Sequence, residues 1–272
     1  MEEELMGEPD TPTRESERGN SRDNSALLKH VFDSYYWLRI GMAITAFLFP
    51  PLLWVWGKFL FGLPLQGAMS AYYWASSPPG GDPPVRVWFV GLIFAIGSFL
   101  LLYKGYSIWE DWGLNLAAIC LIGVALVPMC GSEVGQCPSW SSLHGWFAIA
   151  FFAFILSVAV FDWRFSLREV RDPARQRLFR RLYVFTSFLL FLLPAGAAIA
   201  HYFLGRADTR TYWLELAAIW AFALYWSIKT LELRQSLADR QELRNEVGRT
   251  ENIDIFSEVG DLGSSRRRGR QL

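Results

Sequence analysis

"VWFVGLIFAIGSFLLLYKGYSIWEDWGLNLAAICLIGVALVP", residues 87 to 128, contains two apolar runs and, between them, one short polar connection that carries Lys104, Glu110 and Asp111. Runs joined by so few residues must return antiparallel, so the stretch reads as a helical hairpin. About 20 apolar residues at a rise of roughly 1.5 Å each cross a hydrocarbon core of about 30 Å. Both arms are therefore read as membrane spans, with the charges collected at the turn.

The same pattern recurs outward in both directions. Spans are expected at residues 37 to 57, 87 to 103, 112 to 129, 143 to 161, 182 to 204 and 212 to 228, and apart from Arg39 at the first edge none contains Lys or Arg. One Arg at mid-span costs about 2.5 to 3.5 kcal/mol on insertion scales, so lipid exposure accounts for its exclusion from every interior. A hydrophobic share of 52% and an aromatic share of 16% agree. The expected fold is an all-α polytopic membrane helix bundle of six transmembrane helices.

Orientation follows from where Lys and Arg are kept. Counting Arg39 with the N-terminal segment, 22 of the 26 fall in segments on one side, including seven arginines in "DWRFSLREVRDPARQRLFRR", residues 162 to 181. Positive charge is retained on the cytoplasmic side, which puts both termini there. Residues 1 to 35 are expected to be a disordered cytoplasmic tail, 36 to 229 the transmembrane domain, and 230 to 272 a tail that is partly helical and then disordered. No cleavable signal pattern is read at the start, and the first span serves as the insertion signal. A net charge of zero gives no reason to expect a nucleic-acid partner. Cys130 and Cys137 flank "GSEVGQ" in an expected outer loop where oxidation is permitted, and a disulfide between them is expected.

Three groups of residues are candidates for function. Glu110 and Asp111 stand where the positive end of the third helix favours carboxylates by about 0.3 to 1 kcal/mol. They are read first as caps of a helical turn and second as a reactive pair. Asn115, one turn further in, should face a neighbouring helix. The long first outer loop places Tyr72 and Tyr73 at its apolar centre, either resting on the headgroups or acting as a lid over an outward cavity. His144, His201 and Glu215 share the outer slab, where two imidazoles and a carboxylate suit a divalent metal that activates water. They lack the paired spacing of a metal motif, so structural roles are read first and no metal or other cofactor is assigned. Small-residue pairs, Gly91 with Ala95 and Gly196 with Ala200, suit close helix approach, within the chain or to a partner or second copy.

"SAYYW", "YKGY", "EDWGLN" and "LHGWFAIAFFAF" resemble uncharacterised, mainly bacterial, multi-span proteins that are similar in layout to the six-span damage-regulated autophagy modulator and Frag/Sfk-like families. In this sequence the motif residues are Tyr72, Tyr73, Tyr103, Tyr106, Glu110, Asp111, Asn115 and His144. The resemblance implies a six-helix membrane fold, in a bacterial inner membrane, without an established activity. Three function classes stand: a non-enzymatic protein of membrane or lipid homeostasis, a metal-dependent lipid hydrolase of ceramidase type, and a small-solute transporter.

Overall fold

The computed structural model of the chain describes residues 14–105, 107–130, 141–161, 167, 172–204 and 209–235. Its helices are α1 (Arg14–Phe61), α2 (Arg86–Leu102), α3 (Ile108–Leu126), α4 (Ser142–Phe161), α5 (Pro173–Leu204) and α6 (Arg210–Gln235), and no strand occurs among the described residues. Five are long and apolar enough to cross a membrane, and α2, with 17 residues, is the short one. At about 1.5 Å per residue α2 extends roughly 25 Å, a shortfall that local thinning and flanking groups accommodate. The all-helical membrane architecture read from the sequence is the one observed.

Helix ends are where the expectation and the structure part. α1 begins at Arg14, inside the stretch read as a disordered tail, and α5 begins at Pro173 among the arginines, whereas α6 continues past residue 228 to Gln235 as the partly helical reading of the last segment expects. Apolar patterning stops at the membrane boundary, but backbone hydrogen bonding does not, and arginines tolerate a helix that stands out of the lipid. Residues 1–13 and 236–272 lie outside the described residues, as does Cys137, so the expected Cys130 pairing lies outside them too. Among the described cysteines the free thiol is Cys120, buried in α3.

Sequential helices pack on one another from α1 through to α5. The most apolar stretch of α6 is 50% buried, against 28 to 39% for the other long helices, so α6 is the central post. Close approach uses glycines other than Gly91. A Cβ on Gly113 would stand 2.7 Å from Val158 and one on Gly123 2.8 Å from Phe147, so α3 lies tight against α4. Gly91 is exposed and meets nothing within 4 Å, so the expected packing role of that pair within the chain is not observed, while Gly196 makes an ordinary contact with Leu214.

Pro50 and Pro51 lie inside α1 without ending it. A proline has no N–H, so Pro51 leaves the carbonyl four residues earlier, that of Phe47, without its helical donor. Trp220 of α6 supplies one: its indole Nε1–H donates to the Phe47 carbonyl at 3.0 Å, while its ring stacks on Phe47 with centroids 5.0 Å apart. Tyr212 adds a second tie, its hydroxyl donating to the Pro50 carbonyl at 2.7 Å. Trp220 stands well inside α6, and this bond gives its indole N–H a partner there. Trp220→Phe keeps the stacking surface and removes only the donor. Unfolding of the purified variant in mixed detergent should show a loss of about 0.6 to 1.7 kcal/mol, the average and the upper end for hydrogen bonds between membrane helices; unchanged stability would remove this explanation.

Candidate functional site

Two polar layers lie at opposite ends of the apolar bundle. One is at the end carrying the 103–107 turn (the turn end), the other at the end carrying the 62–85 loop (the loop end).

At the turn end, Ser107 caps α3, its hydroxyl accepting from the Glu110 N–H at 3.0 Å. The two neighbouring carboxylates then do different work. Asp111 closes the turn: Oδ1 accepts from the Gly105 N–H at 2.6 Å and Oδ2 from Lys104 Nζ at 3.2 Å. Lys104 is largely exposed, so this ion pair is worth at most a few tenths of a kcal/mol. Glu110 instead turns inward and forms an ion pair with Lys229 of α6, both side chains being buried. Arg39 of α1, also buried, donates from Nη1 to the Lys229 carbonyl at 2.9 Å and from Nη2 to the Tyr103 hydroxyl at the end of α2. On α5, the Tyr183 hydroxyl donates to Glu232, again buried. Two buried cations and two buried anions thus connect α1, α3, α5 and α6, with Tyr103 bringing in the end of α2.

At the loop end the long loop folds onto the bundle. Its centre is a 3-10 turn, Met69–Tyr73, whose first residue donates its N–H to Glu215 Oε2 at 2.6 Å. The Tyr212 N–H reaches the Gly67 carbonyl at 3.0 Å, and Trp74 Nε1–H reaches the Met129 carbonyl at 2.7 Å. Tyr72 is fully buried, and burial pushes its phenol up to about 12, so it is neutral across the physiological range. The Tyr73 carbonyl accepts from Arg86 Nε at 2.9 Å, with the guanidinium 4.6 Å from the Tyr73 ring centre. Tyr72, Tyr73 and Trp74 are thus all engaged by the protein itself, Tyr72 fully buried and the other two half-buried.

Beneath the turn lies a cavity of about 100 Å³. Met69 and Ser70 of the loop border it, as do five phenylalanines, Phe49, Phe89, Phe151, Phe152 and Phe222, with His144 and Glu215 as its ionisable groups. His144 is buried, and Nδ1 is 2.6 Å from the Val127 carbonyl at the end of α3. A carbonyl only accepts, so Nδ1 carries the hydrogen, and in the neutral ring Nε2 is left as an acceptor.

Of the three expected outer-slab groups, His144 and Glu215 share this cavity. His201 does not: it is exposed and borders a separate groove with Gln66, Trp74 and Ser76. No three His, Cys, Asp or Glu side chains are grouped to hold a metal among the described residues. Asn115 is half-buried on α3. The sequence reading missed Lys229, Glu232, Tyr183 and the Ser107 cap. A signal existed for some of them: Ser107 and Glu110 have the spacing of a capping box, and Phe222, Trp226, Lys229 and Leu233 recur on one helical face. No protein-family model, curated protein or solved structure matches the chain.

Removing one partner of a buried pair leaves an uncompensated charge. Lys229→Met should destabilise the bundle by about 3 to 5 kcal/mol, and Glu110→Leu added to it should restore most of that loss. Thermal unfolding in detergent reads both. A double variant no better than the single one would show that the pair is not what the lysine serves.

Proposed function

We propose that this chain is an integral membrane protein of non-enzymatic role in membrane or lipid homeostasis, acting by holding a small apolar molecule, or the apolar end of a lipid, in the loop-end cavity. The observation that carries the reading is the cavity itself, walled by phenylalanines and aliphatic side chains and covered by a loop that Glu215 and Trp74 tie down. Concave, largely apolar sites with a few placed polar groups are the usual form of small-molecule sites. The proposal includes a cytoplasmic location for both termini, supported by the arginine-rich 162 to 181 segment, a bacterial inner membrane, and membership of the six-span group named above.

Metal-dependent hydrolysis is less well supported, because the second histidine stands in another groove. Solute transport is the second reading, and one observation favours it: Arg39, Glu110, Lys229 and Glu232 are buried within or beside spans, where ionisable groups mark transport pathways. The test is photolabelling of the reconstituted protein with a four-carbon alkyl diazirine. Labels are expected on the peptides that carry Ile93 and Phe222 and should disappear in Ala148→Phe, which fills the cavity. Labels confined to lipid-facing residues such as Phe191, whatever the variant, would overturn the reading.

A further inference from the structure

The polar groups bordering the cavity are of one kind. Glu215 commits Oε2 to the Met69 N–H, and its second oxygen makes no hydrogen bond to another described residue. His144 commits its N–H to Val127 and offers Nε2 as an acceptor. Ser70 also borders the space, and its hydroxyl hydrogen is directed at the Met129 sulfur, 2.8 Å away, leaving its lone pairs. At Glu215 and His144 the unused capacity is that of acceptors, so a ligand that meets both brings donors. The walls are compatible with this, since aromatic rings attract cations and five phenylalanines border the same space as a carboxylate. Phe49 and Phe89 stand 5.9 Å apart and Phe151 and Phe222 5.7 Å apart, each pair with its rings tilted against one another.

Size sets the rest. At about 100 Å³ the cavity is smaller than the roughly 150 Å³ apolar cavity that admits benzene, so it takes a short, slender group, on the order of five heavy atoms. A carboxylate, two neutral acceptors and aromatic walls around so small a volume fit a primary ammonium on a short aliphatic stem. A carboxylate or phosphate would bring further acceptors to a site whose unused polar capacity is already that of acceptors.

We propose that the loop-end cavity is a binding site for an aliphatic ammonium group, held by Glu215 and His144 and walled by the phenylalanines, supplied by a free short-chain amine or by the amine-bearing end of a lipid. This rests on the proposed cavity-binding function and adds the ligand's chemical class.

The experiment is competition against the alkyl diazirine label in the reconstituted full chain, using butylamine, 1-butanol and butyrate. Butylamine should displace the cavity label at concentrations at least about tenfold lower than 1-butanol does, and butyrate should be weakest. Glu215→Gln keeps an acceptor for the Met69 N–H and removes the carboxylate; it should abolish the preference for butylamine over 1-butanol. Dodecylamine separates the sources once butylamine has shown the amine preference: dodecylamine no better than butylamine at equal membrane-corrected concentration supports a free amine, and dodecylamine effective at much lower concentration supports an amine-bearing lipid. Equal displacement by the three short probes, or an amine preference that survives Glu215→Gln, overturns the ammonium site while leaving the cavity reading intact. Absence of any cavity label brings down the cavity reading itself. Should Glu215→Gln lose the label by misfolding, the wild-type ranking of the three probes decides.

Discussion

Hydrocarbon offers no hydrogen bonds, so each backbone group that a span leaves unpaired must find its partner within the protein. Much of this bundle's specific geometry answers that demand. Pro51 frees the Phe47 carbonyl and Trp220 takes it up, which fixes α6 against α1 at mid-bundle. At the end of α3, the Val127 carbonyl is taken by His144, the third residue of α4. The Ala159 carbonyl near the end of α4 accepts from Ser187 of α5 at 3.1 Å. Helices in lipid have little hydrophobic drive to associate, since a lipid tail is as apolar as leucine, so such bonds and tight glycine contacts determine which helix meets which.

The two polar layers follow from the same shortage of solvent, with opposite outcomes. At the turn end, Lys229 and Glu110 are buried as an ion pair, with Arg39 and Glu232 buried beside them on hydrogen bonds, an arrangement that costs desolvation and returns specificity of packing more than stability. At the loop end, Glu215 and His144 are used once each, on a backbone N–H and a carbonyl, and retain acceptor capacity toward a small space. Closure of that space depends on the loop, and the loop's position depends on Glu215. One carboxylate therefore both builds the cover and borders what lies beneath it, so binding and loop position are linked at a single residue.

How much of this was legible in the sequence depended on the range of the signal. Spans were visible because lipid excludes lysine and arginine residue by residue, a local rule. Helix ends were not, because a helix outlasts its apolar stretch wherever the side chains tolerate water. Glu110 and Asp111 were singled out for their place in the turn, and the cap reading holds for Asp111; Glu110's partner is 119 residues away, beyond any local pattern. Lys229, standing at the last expected membrane residue, looked like the start of a charged tail, although its spacing from Phe222 and Trp226 placed it on the buried face. His144, His201 and Glu215 share a depth that sequence can estimate, but their rotation about the helix axes decides which of them meet, and that is set by packing.

The account is most exposed at α2, the shortest helix, because only a crossing there puts the 62–85 loop and the 103–107 turn on opposite faces of the membrane. Labelling with a membrane-impermeant maleimide, on a background without the native cysteines, tests this through Ser76→Cys and Lys104→Cys. Ser76→Cys should react in intact cells and Lys104→Cys only after the membrane is opened. Labelling of both from the same side would contradict six crossings and, with them, the placement of both polar layers.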